Sequence, residues 1–475
     1  QRQMCIRDRT ESVADNTEYF AQRQLKKGAV GWLLLVGLGV SYVISGDFAG
    51  WNFGIAQGGW GGLFVATIVV AFMYLCMSLS MSEMSTMLPT AGGGYSFARV
   101  AFGQFGGYLT GTAILIEYAV APAAIAVFIG NYCEALFGIG GWPIYLFCYV
   151  FFMAIHLKGA GEALKIMFGI TAIACVALLV FIVAMVPHFN AANLFNIAVM
   201  PNTAGASSFL PLGYMGIWAA VPFAIWFFLA VEGVPLAAEE AKDPVKSLPR
   251  GLIGSMLILA AFALLILFLS AGAMGAEQVK NSGAPLVDAL IAVYGQHSWI
   301  ASFVNFVGLA GLVASFFSII YAYSRQVFAL SRAGYLPKIL SLTNNKHAPK
   351  WAIVIPGVIG FVLSLTGEGD LLILIAVFGA TISYVLMMMS HIKLRFSRPD
   401  LARPYKTPGG IVTSSIALVL ACAAVVAGLM VNPKVWCLAA LIYGLFILYY
   451  LLYSRHHLVE GTPEQEFASI EIRDE

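Results

Sequence analysis

Apolar residues run through this chain in long, nearly unbroken stretches, without the alternation of a half-buried strand or the polar face of a soluble helix. The runs recur from about residue 30 to residue 453. A membrane span needs about 20 apolar residues, because the hydrocarbon core is about 30 Å thick and a helix rises about 1.5 Å per residue. In lipid only helices or closed barrels satisfy their own backbone groups, and these runs are too continuous for the alternating strands of a barrel. The pattern predicts an all-α polytopic membrane protein with 12 transmembrane helices. They lie near 30–56, 62–87, 105–136, 143–157, 163–186, 214–239, 251–274, 299–330, 352–366, 370–393, 412–430 and 434–453. The stretch ahead of residue 28 is polar, so no cleavable signal is expected and the first span serves as the insertion signal.

Two of these runs are interrupted. The first breaks at "SGDFAG", where glycines flank Asp47. The sixth, "GIWAAVPFAIWFFLAVEGVPLAAEEAKDP", breaks at "VEGVP", where glycine and proline follow Glu232. Broken spans at corresponding positions of two halves point to an inverted-repeat transporter with its site at the repeat interface. The spacing fits a 5+5 inverted repeat with broken helices 1 and 6 plus two extra helices. On that reading 1–28 is a cytoplasmic tail and 29–395 the transport core, with repeats of about 29–187 and 213–395. Residues 396–455 hold spans 11 and 12, and 456–475 form a second cytoplasmic tail. Gly and Pro are common in membrane helices, so ordinary kinks are the plain alternative. An acid at mid-bilayer costs on the order of 2.5–3.5 kcal/mol, however, and each break carries one.

Composition agrees with the pattern. Of 475 residues 60% are hydrophobic and 11% charged, against roughly a quarter charged in a soluble domain. Lysine and arginine set the orientation. Arg23, Lys26, Lys27, Arg99, Lys158, Lys165, the 242–250, 325–350 and 393–406 stretches and the C-terminal segment fall on one side. Only Lys280 and Lys434, of 26 basic residues, fall on the other, and the segment 187–213 holds none. Both termini are therefore expected in the cytoplasm of a bacterial cell, with the chain in its cytoplasmic (inner) membrane. The net charge of +2 calls for no nucleic-acid partner. The seven cysteines show no CxxC spacing, so neither a metal site nor a disulfide framework is expected, and no cofactor.

At this point the motifs become specific. The stretches "SYVISGDFAGWNFG", "SEMSTMLPTAGGGYSFARVAFGQFGGYLTGTAILIEYAVAPAAIAVFIGNY", "FFLAVEGVPLAAEEAKDPVKSLPRG" and "RQVFALSRAGYLPK" resemble the amino acid–polyamine–organocation (APC) superfamily, most closely its bacterial ethanolamine permeases. The resemblance covers roughly residues 28–455 and implies alternating access through spans 1–10. In members that carry amino acids it also implies a small Gly/Ser turn at the first break, whose N–H groups receive the substrate carboxylate. This chain departs from that pattern with Asp47 beside Ser45 and Gly46. Two like charges about 4 Å apart repel by roughly 4 kcal/mol at an effective dielectric near 20. The departure favours a small cationic amine with no carboxylate. The alternative is that Asp47 caps the second half-helix through Ala49 or Gly50.

Other candidates follow. Glu117, mid-way along span 3, is either a carboxyl held neutral by burial or an amine ligand or proton carrier. Its neighbour Tyr118 packs or contacts the site. Glu232 matches the superfamily's acidic position at the sixth break, which the resemblance links to gating or proton handling. Its plain alternative is to satisfy the freed donors of its own helix. Trp226 matches the aromatic that covers substrate in similar exchangers, where a cation over an indole gains about 0.5–2 kcal/mol; otherwise it packs. Glu239, Glu240 and Lys242 are expected to be solvated or part of a cytoplasmic gate, and His156 and His188 to lie at the membrane interface or cap helices. Proton-coupled relatives place a lysine mid-way through span 5, whereas here only Lys165, at its end, is present. A sodium site would draw oxygens from spans 1 and 8, with Ser315 and Ser318 as candidates. Proton or sodium coupling, exchange and uniport all remain open. The chain has no HExxH, GxSxG or phosphate loop, no channel filter motif and no appended signalling domain. A transporter is expected, not an enzyme, with ethanolamine the first substrate candidate and an amino acid or polyamine the second.

Overall fold

The computed structural model describes residues 30–296 and 298–459, with Tyr19, Leu25 and Gly28 ahead of them, the side chains of 160–163 and 301 excepted. The expected tails, including Arg23, Lys26, Lys27 and Cys5, fall almost wholly outside the described residues. Among those residues the chain is nearly all helix, with no strand and two isolated bridges.

The main helices are α1 (Trp32–Val43), α2 (Phe53–Met87), α3 (Gly94–Phe137), α4 (Trp142–His156), α5 (Ala160–Met185) and α6 (Gly213–Trp226). They continue as α7 (Pro244–Met274), α8 (Trp299–Arg332), α9 (Lys350–Ser364), α10 (Gly369–Ser397), α11 (Ile411–Val431) and α12 (Pro433–Leu452). Every expected span is helical, but only 9 helical stretches among the described residues are long and apolar enough to cross a bilayer. The segments expected as spans 1, 4 and 9 fall short, with helices of 12, 15 and 15 residues. At about 1.5 Å per residue, 15 residues reach only about 22 Å. A helix over Pro285–Tyr294 also forms where no span was expected.

Both interruptions exist, and both differ from expectation in detail. After α1 a single turn covers Ser45–Phe48. The chain then extends at Ala49, turns through Gly50 at φ +95° and resumes as α2 at Phe53. Gly59, at φ +70°, bends α2 six residues later. The second break is not at "VEGVP": α6 ends at Trp226, ahead of Glu232, and Ala230 takes the left-handed φ of +78°. From Val231 to Glu240 the chain forms a 3-10 helix through Pro235. Proline does not cause the break; it lies inside the tighter helix that follows.

The two breaks cross in backbone contact. A Cβ on Gly46 would stand 2.5 Å from the Trp226 carbonyl oxygen. Here glycine is required by closeness. Further along, Val30 N–H donates to the Glu240 carbonyl at 3.0 Å and Lys242 N–H to the Val30 carbonyl at 2.9 Å. The start of α1 is thereby stitched to the end of the 3-10 segment. Around this centre α3 packs on α8 and α10, α5 on α8, and α7 on α1 and α2, while α11 and α12 lie at the periphery with apolar faces exposed.

Three glutamates meet arginines near the C-terminal ends of α2, α8, α10 and the 3-10 segment, which form the basic end of the bundle. There Glu83 of α2 accepts from Arg395 Nε at 2.9 Å and Nη2 at 2.5 Å, and from the Thr407 amide at 2.7 Å. His391 Nε2 stands 3.3 Å and Arg403 Nε 3.2 Å from the same carboxylate. This buried acid binds α2 to α10 and to the 398–410 loop.

The Gly46 contact makes a test. Gly46→Ala forces two backbones apart, and overpacking of this kind costs about 1–3 kcal/mol. The purified variant should unfold at a clearly lower temperature than the wild type. Gly444→Ala, whose Cβ meets nothing within 4 Å, should unfold unchanged.

Candidate functional site

A broken helix in lipid leaves backbone donors and acceptors that must find partners. Side chains from three helices supply them at the first break. The Ser45 amide donates to Ser315 Oγ of α8 at 2.9 Å, and that hydroxyl donates to the Ser41 carbonyl at 2.7 Å. Ser41 Oγ returns a bond to the Ala314 carbonyl at 3.0 Å. Tyr132 of α3 donates to the Phe48 carbonyl at 2.9 Å. Trp226 Nε1 donates to the Ala49 carbonyl at 2.9 Å, so the residue that ends α6 closes the break beside α1. Ser315 is thus occupied with the α1 backbone, and Ser318 Oγ donates to the Ala314 carbonyl of its own helix at 2.8 Å.

Beside this crossing lies a cavity lined by Tyr42, Val43 and Ser45 from the first break, Ala121 and Ile125 from α3, Trp226 and Leu229 from the second, and Ile319 from α8. Its interior has room for about one water molecule. A ligand of several heavy atoms therefore enters only as these side chains move. The lining offers apolar walls, one indole face and the hydroxyls of Tyr42 and Ser45.

The acids flank the cavity. Asp47 is fully buried; neither carboxylate oxygen has a hydrogen-bond partner, and it lies within electrostatic reach of Cys175 on α5. Capping is overturned, because α2 begins at Phe53 with Asn52 ahead of it and takes no bond from Asp47. Asn52 Nδ2 donates instead to the carbonyls of Val279 and Ser282, at 3.0 and 2.8 Å. Glu117 and Glu232 form a separate group, within electrostatic reach of each other. Tyr118 O–H donates to Glu232 Oε1 at 3.4 Å, while both oxygens of Glu117 and Oε2 of Glu232 lack partners. Tyr74 and Tyr384, bonded to each other at 2.7 Å, complete this pocket.

Of the predicted residues, the structure brings Ser45, Gly46, Trp226 and Ser315 together at the crossing. Glu117, Tyr118 and Glu232 form a second group, and Asp47 sits apart from both carboxyls. Of the two alternatives expected for Glu239 and Glu240, solvation is overturned for Glu240, which is buried, pairs with Arg325 Nη2 at 3.1 Å and accepts from Tyr321; a place in a gate is compatible with such pairs. Glu239 pairs with Arg332 at 2.7 Å and accepts from the Ala91 amide at 2.9 Å, leaving Lys242 as the exposed one of the three. His156 is buried between α4 and α8, with Nε2 2.8 Å from the Phe317 carbonyl oxygen, whereas His188 is exposed at a span end beside Tyr294. Sequence reasoning missed Tyr42, Tyr74, Tyr384 and Arg325. The available signal was a phenol or guanidinium inside an otherwise apolar run.

A family model described as amino acid permease matches residues 30–452. The chain belongs to this permease family, within the APC superfamily. It is therefore a multi-pass membrane transporter, not an enzyme, for a small amino-acid-like substrate. Among curated relatives, the branched-chain amino acid permease BcaP of Bacillus subtilis is 26% identical over 94% of this chain and 98% of its own. The methylthioribose transporter of the same organism is 24% identical over 96% of each chain. An uncharacterized transporter of Rhizobium meliloti is 28% identical over 81% of this chain and 83% of its own.

The indole bond can be tested in isolation. Trp226→Phe keeps an aromatic wall but leaves the buried Ala49 carbonyl without its donor, a loss of about 1–3 kcal/mol. Saturating uptake by this permease should fall roughly five- to twentyfold and its melting temperature should drop. Wild-type values in both would show that the bond is dispensable.

Proposed function

We propose that this permease imports a small amine cation without an acid group, ethanolamine being the best fit, across the bacterial cytoplasmic membrane. On this reading the twelve helical segments all cross, spans 1–10 form the inverted repeats 29–187 and 213–395, and the basic end with both termini faces the cytoplasm. The two breaks then move as gates around the cavity in alternating access.

One observation carries the proposal. Five of the six carboxylate oxygens of Asp47, Glu117 and Glu232 have no hydrogen-bond partner, and among the described residues none of the three pairs with a basic side chain. Buried charges are ordinarily paired, so these acids call for a cation from solution. Glu83, Glu239 and Glu240, by contrast, have their arginines. An amino acid's carboxylate is poorly served here. The amides of Ser45, Asp47 and Ala49 at the break are already bonded, and Asp47 repels it. Ser45 and Trp226 line the cavity, and Asp47 acts on the amine from behind Ser45, through its field or one water. Glu117 and Glu232 are the proton-carrying candidates, with Tyr118 holding Glu232.

An amino acid substrate is the second reading. It is favoured by the similarity to a branched-chain amino acid permease over nearly the full length of both chains.

Uptake of labelled ethanolamine into proteoliposomes, competed by ethanolamine, choline, alanine, leucine and putrescine, separates the two. Ethanolamine should compete best. Inhibition by alanine or leucine alone would reverse the substrate assignment. Imposed proton and sodium gradients in the same assay identify the coupling ion. Asp47→Asn should raise KM for the amine at least about tenfold, the equivalent of roughly 1.4 kcal/mol, with normal expression; unchanged kinetics would remove Asp47 from the site.

A further inference from the structure

The acids beside the cavity and the paired acids at the basic end are joined by one side chain, Tyr42. Its ring lines the cavity and packs on Gly233, whose added Cβ would stand 3.1 Å from Tyr42 Cε2. Its hydroxyl is buried without a hydrogen-bond partner. The charged groups that face it are Glu232 on the site side and Glu240 and Arg325 on the basic side. Tyr118 of α3 and Tyr321 of α8 are its remaining titratable neighbours. A phenol has one proton to donate and can accept as well. Here it lies within electrostatic reach of two carboxylates and bonds to neither, although a buried unpaired hydroxyl is costly.

The gate it faces is small and well defined. Glu240 belongs to the 3-10 segment that is stitched to Val30, so the inner ends of the two broken helices are held to each other by the pair of backbone bonds at Val30. Across from them α8 carries Arg325 and Arg332, seven residues and two helical turns apart, bonded to Glu240 and Glu239. Opening the basic end therefore means parting these two ion pairs. Arg325 is also stacked over the Tyr321 ring, 4.0 Å from its centroid.

We propose that Tyr42 is the positioning residue that links occupancy of the cavity to the Glu240–Arg325 pair. A ligand entering the narrow cavity displaces the ring. The hydroxyl then donates to Glu240, competes with Arg325 and loosens the basic end. With the cavity collapsed, the ring lies against it and the pair stays shut. This rests on the cavity being the substrate site, and the experiment separates the two ideas.

The test uses full-length protein in inside-out vesicles, with natural cysteines replaced by alanine and Ile319→Cys, on the cavity wall, as reporter. A membrane-impermeant thiol reagent then reads access from the basic end. Tyr42→Phe, which keeps the ring, should label like the parent without substrate, because the resting hydroxyl bonds to neither acid. It should abolish the acceleration that ethanolamine produces in the parent. In uptake its kcat should fall about tenfold with KM within twofold. Tyr443→Phe, whose hydroxyl donates to the Leu109 carbonyl at 2.9 Å away from the cavity, should label like the parent with and without substrate. A misfolded variant would label faster even without substrate. Acceleration of Tyr42→Phe by ethanolamine equal to the parent's, or an equal loss of acceleration in Tyr443→Phe, overturns the proposal. If leucine, not ethanolamine, accelerates the parent and Tyr42→Phe abolishes that acceleration, the link stands and the ethanolamine assignment falls; if neither accelerates the parent, the link falls.

Discussion

The contact on which the rest of this structure depends is the crossing of two interrupted helices, where Gly46 lies against the Trp226 carbonyl and the Trp226 indole bonds the Ala49 carbonyl. Opening a helix inside a bilayer exposes peptide groups to hydrocarbon, and each costs several kcal/mol unless it is satisfied. The crossing meets that cost locally. Ser315, Tyr132 and Trp226 take up the freed groups of the first break, and each comes from a helix that also borders the cavity. Backbone repair and site construction are the same set of contacts.

The acids divide along the same line. At the basic end every buried carboxylate is held by arginine: Glu83 by Arg395 and Arg403, Glu239 by Arg332, Glu240 by Arg325. A buried pair of this kind gains little net stability but fixes geometry, because removing one partner strands the other. These pairs hold the ends of helices. Around the cavity Asp47, Glu117 and Glu232 have phenols and apolar walls instead. The contrast lies in the partners, since Glu83 and Glu117 are equally buried.

Tyrosines bridge these two environments. Tyr118 reaches Glu232, Tyr321 reaches Glu240, and Tyr42 is within electrostatic reach of both acids. A phenol suits the position because its ring replaces lipid-like surface while its hydroxyl can exchange acceptors without carrying a charge through the membrane.

The sequence by itself determined the helical membrane class, since apolar runs of this length have no other soluble or barrel solution. It also located both interruptions to within a few residues and singled out Asp47, Glu117, Trp226 and Glu232, because acids and Gly/Pro clusters stand out against an apolar background. It misplaced the second break at "VEGVP". Local propensity puts weakness at Gly233 and Pro235, whereas the chain leaves the helix at Phe227–Ala230 and runs Pro235 through a 3-10 turn. It left Glu240 either solvated or part of a gate, because its partner, Arg325, lies 85 residues away. Only the tertiary structure decided which acids find arginines, that Asp47 caps nothing, and that Ser315 serves the backbone. Those outcomes depend on which helices touch, and a pattern along one chain carries the periodicity of each helix but not its neighbours.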